Sequence, residues 1–157
     1  MQVAQAIRQH PEWFVSSTEQ RIIHKIAMMM FTPALFAKTR KLVHGADKLI
    51  RQCKGHGYAV YILSNWDAES FAIVKNQYKD FFALFDGIVT SGETGFAKPS
   101  PEIYEYILQK YNLDPQQTIF VDDQPANIEA AQACNIEGIL FSASHDSLKT
   151  LQHQLPT

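Results

Sequence analysis

The chain has 157 residues, 46% of them hydrophobic, with 14 lysines and arginines against 16 aspartates and glutamates, for a net charge of −2. That is length for one domain of ordinary size with a small appendage, and enough apolar content for a real core. The even charge balance offers no basic surface to nucleic acid or to an anionic membrane.

Two further classes drop out. The two cysteines, Cys53 and Cys134, make neither a disulfide framework nor a metal knuckle. The longest apolar stretch, residues 26–37, is broken by Thr32 and Pro33 and is too short to span a bilayer. Both cysteines fall inside helical patterns and read as buried free thiols of a reducing compartment. With no signal-peptide pattern ahead of them, the expected location is the cytoplasm.

Residues 1–43 carry helical patterns and no strand. "SSTEQRIIHKIAMMM" opens with a capping-box pattern, Ser17 to Gln20, and places Ile22, Ile23, Ile26 and Met30 at helical spacing. "TPALFAKTRKLV" begins a second helix at Thr32 and Pro33, and the run Met28 to Met30 reads as adaptable apolar filler. From about Gly45 helix and strand patterns alternate. "ADKLIRQCKGHG" is an amphipathic helix closed by Gly55 and Gly57. "YAVYIL" is a nearly continuous apolar run, suited to a strand buried on both faces. Asp67 stands ready to cap "AESFAIVKNQY", "DGIVT" is a second strand, and "SGETGFAKP" reads as a loop. Ser100 caps a helix with Pro101 at its first position, "PEIYEYILQKYNL". "TIFV" is a third strand, "PANIEAAQAC" a helix ended by Asn135 in a left-handed turn, "GILF" a fourth strand, and "DSLKTLQHQL" a last helix. Strands alternating with helices of this length predict parallel crossover units. Residues 1–43 are expected to stand apart from an α/β body over residues 44–157.

In an open parallel sheet, ligands bind beyond the carboxyl ends of the strands. Ser64 and Asn65 follow the first strand here, a loop leading to Lys98 follows the second, and Asp122 and Asp123 follow the third. Singly these are ordinary: a serine cap, a loop lysine, an acid before a helix. In this order on successive strand ends they fit phosphoryl transfer. A Mg²⁺ ion takes hard oxygen ligands and one or two protein carboxylates, so Asp122 and Asp123 can supply part of its shell. The ion then answers the repulsion between the two acids. Lys98 can neutralise phosphate oxygens. Ser64 and the N–H of Asn65 can donate to another, near a helix N-terminus. Catalysis of this kind is mostly positioning and charge stabilisation. Asn127 is expected to brace the acidic turn, and Trp66 to pack or to face substrate. The six histidines show no ligand spacing.

The stretches "YILSN", "SGETGFAKPSPEIYEYIL" and "TIFVDDQPANIEAAQACNIEGILF" resemble the second, third and fourth motifs of the haloacid dehalogenase superfamily. The variant is similar to its small-capped phosphatases, such as sugar-phosphate phosphatases and the phosphatase domain of epoxide hydrolases. The resemblance covers roughly residues 45 to 142. It implies a three-layer Rossmann-like parallel sheet and a Mg²⁺-dependent aspartyl-phosphate mechanism acting on a small phosphorylated metabolite. By position, Ser64 resembles the phosphate-binding residue of motif two, with Asn65 beside it. Lys98 resembles the lysine that steadies nucleophile and phosphate. Asp123 resembles the direct Mg²⁺ ligand and Asp122 the auxiliary acid that holds it. Residues 1–43 resemble part of the family's helical cap.

The family's first motif is a strand ending in Asp-x-Asp, which supplies the nucleophile and the general acid/base, and no Asp-x-Asp occurs in this chain. The expectation is therefore a truncated member, either a fragment of a longer enzyme or a shortened gene product, inactive by itself. A non-catalytic binding or association protein is the first alternative. A true 2-haloacid dehalogenase is the second, although it leaves the acidic pair without a use. In family topology the missing strand lies between the strands ending at Ser64 and at Val121. Those strands must pair directly, borrow a strand from another chain, or leave a groove. Homodimerisation is the favoured expectation.

Overall fold

The computed structural model describes residues 42–43 and 45–141. The expected helices before residue 42, with Met28 to Met30, and the tail helix of residues 146–155 lie outside the described residues. The described elements alternate as the sequence predicts. They are α1 (Ala46–Gly55), β1 (Tyr61–Ser64), α2 (Ala68–Gln77), α3 (Lys79–Phe82), β2 (Gly87–Thr90), α4 (Ser91–Thr94), α5 (Pro101–Tyr111), a 3₁₀ turn (Pro115–Gln117), β3 (Ile119–Asp122), α6 (Pro125–Ala133) and β4 (Glu137–Leu140). The chain divides into two compact units. Leu42–Ala68 and the residues from Tyr78 onward form one; Glu69–Gln77, most of α2, belongs to the other. Within α2 the buried residues are Ser70, Phe71 and Val74. Among the described residues no helix is long and apolar enough to cross a membrane.

Local chemistry accounts for the helix ends. α1 carries Asp47 in its first turn and Lys54 in its last, each favourable to the helix dipole. It stops before Gly57, whose φ of 88° suits a residue without a Cβ. α5 starts on Pro101, whose missing N–H costs nothing at that position, and ends at Asn112 with φ 51°. The Ser100 hydroxyl does not cap α5, as the sequence implied; it donates to the Glu102 carboxylate instead. α6 ends at Ala133, and Asn135 adopts the expected left-handed turn with φ 61°. The stretch "SGETGFAKP" is not wholly loop, because Ser91–Thr94 closes one helical turn before Gly95. Both cysteines are free but half-buried, and Cys134 lies just past the end of α6 rather than inside it.

The strands pair in parallel, as expected, but as two separate pairs. β1 lies against β2 with Leu63 opposite Val89, and β3 lies against β4 with Val121 opposite Ile139. No bonding joins β1 to β3 among the described residues. Of the three outcomes open to the sheet, direct pairing of β1 with β3 is not the one seen among the described residues. This corrects the expectation that the first strand is buried on both faces: all four residues of β1 are only half-buried, and so are those of β3. Below the pairs, Val89, Ile103, Tyr104, Ile107, Ala131 and Ile136 form a buried cluster. Burying each large apolar side chain contributes about 1.5–3 kcal/mol.

Candidate active site

The site is built on the carboxyl ends of β1 and β3 and on the loop that follows β2. Asn65, one residue past β1, fixes that loop. Its Nδ2 donates to Lys98 O at 2.7 Å, and its Oδ1 accepts from Lys98 N–H at 2.8 Å. Earlier in the loop Thr94 Oγ1 accepts from Phe96 N–H at 3.1 Å, holding the chain through the turn at Gly95. Gly92 N–H donates to Trp66 O at 2.9 Å, so the segments leaving β1 and β2 touch backbone to backbone.

Thus held, Lys98 reaches inward. Its Nζ donates to Leu63 O at 2.8 Å and to Asp122 Oδ2 at 2.6 Å. The Lys98 and Asp122 side chains are only 10% and 8% exposed, so this is a nearly desolvated pair. The ammonium also stands 5.3 Å from the centre of the Phe120 ring. Asp122 Oδ1 accepts from Gln124 N–H and from Asn127 Nδ2, each at 2.9 Å. Asn127 is buried, and its carbonyl accepts from the Tyr104 hydroxyl at 2.9 Å. Among the described residues each side chain of this linked set, Lys98, Asp122, Asn127 and Tyr104, has a partner, as burial demands.

The electrostatics follow from the geometry. Burial works to raise the Asp122 carboxyl. The hydrogen bonds from Lys98, Asn127 and the Gln124 N–H outweigh it, and the net direction is down from the ordinary carboxylate value. Burial and then the Asp122 charge push the Tyr104 phenol up to about 12. The positive charge that compensates Asp122 is the Lys98 ammonium.

Of the residues singled out from sequence, Lys98, Asp122, Asn65 and Asn127 come together by direct bonds. Asn127 braces the acidic turn as its position implied. Ser64 is half-buried at the last position of β1, and the Asp123 side chain is exposed beside the pair. The Trp66 carbonyl accepts from Gly92 N–H and from Ser91 Oγ. The backbone clamp by Asn65, the Leu63 carbonyl and the Tyr104 support were not foreseen, because each links residues 23 to 35 positions apart and leaves no local pattern.

The donor set bears on a metal. Asp123 offers a hard, accessible carboxylate, while both oxygens of Asp122 are already engaged. A carboxylate with no partner among the described residues, beside a second acid, fits an ion that keeps several waters, as Mg²⁺ does. Among the described residues no three His, Cys, Asp or Glu side chains gather into a metal cluster.

Residues 4–135 match the sequence model of the haloacid dehalogenase-like hydrolases. A sesquiterpene phosphatase of Aspergillus oryzae is 39% identical over 102 residues, covering 65% of this chain and 50% of that protein. A D-ribitol-5-phosphate phosphatase of Bacteroides thetaiotaomicron is 31% identical over 85 residues, covering 51% of this chain and 41% of that one. The crystal structure of a haloacid dehalogenase family enzyme of Bacteroides thetaiotaomicron in its magnesium complex superposes with a TM-score of 0.65. It is 24% identical, and the match covers 91% of this chain and 77% of that one. The chain spans half or less of the length of these curated relatives.

Proposed function

Because the chain belongs to the haloacid dehalogenase-like hydrolase family, we propose that its described residues form the phosphate- and metal-binding side of a phosphatase site for a small phosphorylated metabolite. The observation that carries this reading is the Lys98 ammonium, held by its backbone at Asn65 and aimed between Leu63 O and Asp122 at the strand ends. A point charge so placed can neutralise phosphate oxygens without reorganising. Ser64 and the N–H of Asn65 donate to a second phosphate oxygen. Asp123 holds Mg²⁺ directly and Asp122 stands behind it, engaged by Lys98 and Asn127. When bound, the ion supplies Lewis-acid polarisation of the phosphoryl group. The phosphatases among the relatives support the substrate class.

The sequence contains no Asp-x-Asp, so this chain by itself lacks the family's aspartyl nucleophile, and the reading includes no turnover by the chain alone. That same observation favours a second reading, a non-catalytic protein that keeps the pocket. Mg²⁺ binding without phosphate-ester hydrolysis is its signature.

Thermal melting tests the site directly. Vanadate or phosphate raises the Tm by mass action on the folded state, and Lys98→Met removes most of that shift. Mg²⁺ binding, read by calorimetry, is weak. Asp123→Asn lowers it more than Asp122→Asn does. A full anion shift in Lys98→Met, or equal losses at the two acids, places the site elsewhere.

A further inference from the structure

The loop that carries Lys98, residues 91–100, reads "SGETGFAKPS", and each of its polar side chains is spent on the protein itself. Ser91 Oγ donates to Trp66 O at 3.3 Å, and Glu93 accepts from Lys110 Nζ at 2.6 Å. Thr94 Oγ1 accepts from Phe96 N–H and donates to Phe96 O, each at 3.1 Å. Lys98 Nζ reaches Leu63 O and Asp122, and the Ser100 hydroxyl donates to Glu102. What remains of the loop is glycine, alanine, proline and Phe96. The Phe96 ring is 43% exposed, two residues ahead of Lys98. A lone exposed phenylalanine is ordinary. This one is held in place. Thr94 binds its backbone on both polar groups, and Asn65 does the same to Lys98. Two residues of chain reach at most about 7 Å, so a fixed apolar ring stands beside the lysine that would meet a phosphate.

We propose, resting on the phosphatase reading of this site, that Phe96 sets its substrate class: the ring packs the hydrocarbon of an apolar phosphomonoester and disfavours a polyol phosphate. The phosphate that Lys98 meets is common to all such esters, so discrimination comes from what touches the esterified alcohol. A hydroxyl-rich alcohol laid on the ring gives up hydrogen bonds to water and finds none in return, because the loop's polar side chains already have protein partners. A hydrocarbon chain in the same place removes apolar surface from water on both sides of the contact.

The test uses the intact chain and three probes: inorganic phosphate, hexyl phosphate and a hexitol phosphate, the two esters matched in carbon count. Calorimetry gives the dissociation constant of each. Hexyl phosphate should bind at least about tenfold more tightly than the hexitol ester, which is 1.4 kcal/mol. Phe96→Ser should bring that ratio close to one, and Phe96→Leu, still apolar, should keep most of it. The ratio is read within each variant, so a change common to both esters cancels. The ring is exposed and the bonds to Thr94 are made by backbone, so both variants keep the loop. Equal binding of the two esters, or an undiminished ratio in Phe96→Ser, would overturn the inference. If none of the three phosphates binds, the phosphatase reading falls together with it. If inorganic phosphate binds and the esters are not distinguished, only the role of Phe96 falls.

Discussion

At the residue scale the site works through shared oxygen atoms. Asp122 spends one oxygen on Lys98 and the other on Asn127 and the Gln124 N–H, so neither can move without releasing a desolvated charge. Losing one partner of such a pair costs more than the pair contributes, since the remaining charge is left without compensation. Tyr104 stands behind this chain and offers a measurable signature. Its folded pKa of about 12 lies above the ordinary tyrosine value. A raised folded value means that the phenol's contribution to stability is complete below about pH 10, the unfolded value, and is lost as pH rises through 12. Denaturant melts of the wild-type chain should therefore weaken between about pH 10 and 12. Tyr104→Phe should flatten that decline and remove one late-titrating phenolate from the ultraviolet titration. An unchanged alkaline profile in the variant would remove Tyr104 from this role.

At the element scale the close approaches are glycine-made. A Cβ on Gly92 would lie 2.5 Å from Ala68 N and 2.9 Å from Trp66 O, both backbone atoms that cannot swing away. That contact sets the turn after β1 against α4, and Asn65 clamps Lys98 from the same turn. Gly92→Ala should cost about 1–3 kcal/mol in chemical denaturation, the range of overpacking. It should also reduce the anion-induced Tm shift, because the clamp moves with the turn. A stable variant with an unaltered shift would show that the approach is slack. The outer edge of β2 is managed differently. The Tyr111 hydroxyl accepts from Ile88 N–H at 3.0 Å and donates to Ile88 O at 3.2 Å, so a side chain occupies the place of a further strand. Its ring leaves room only for hydrogen at Gly87, where a Cβ would fall 2.3 Å from Tyr111 Cζ.

At the scale of the whole described body, two strand pairs share one apolar cluster but no ladder between them. Lys98 is the polar tie across the gap, bonded to Leu63 of one pair and Asp122 of the other. Amide exchange should therefore be uneven along single strands. Phe120 and Asp122, which bond β4, should exchange at least about tenfold more slowly than Ile119 and Val121, which alternate with them and face away from β4. The same contrast should separate Ile62 from Leu63. Uniform protection along β1 and β3 would mean that the gap is closed in solution. The exposed-edge argument that led to an expectation of homodimerisation addresses the same surface, and this measurement bears on it without assuming what covers the edge.

The sequence by itself determined the order and type of the long elements, because helix periodicity, apolar strand runs and the prolines at 101 and 125 act on neighbouring residues. It also placed Ser64, Asp122 and Asp123 at strand ends and Lys98 in the loop that follows β2, since a βα repeat fixes where each strand stops. The short turn at Ser91–Thr94 escaped because Gly92, Thr94 and the following Gly95 read equally well as loop. Only the tertiary structure decided that the strands pair two by two, that Lys98 is the counter-charge of Asp122, and that Asn65 grips the backbone of Lys98. These facts join residues 18 to 35 positions apart. Nothing in a local pattern encodes which distant edge a strand will meet or which buried oxygen a lysine will reach. Those outcomes are fixed when burial obliges each desolvated polar group to find a partner.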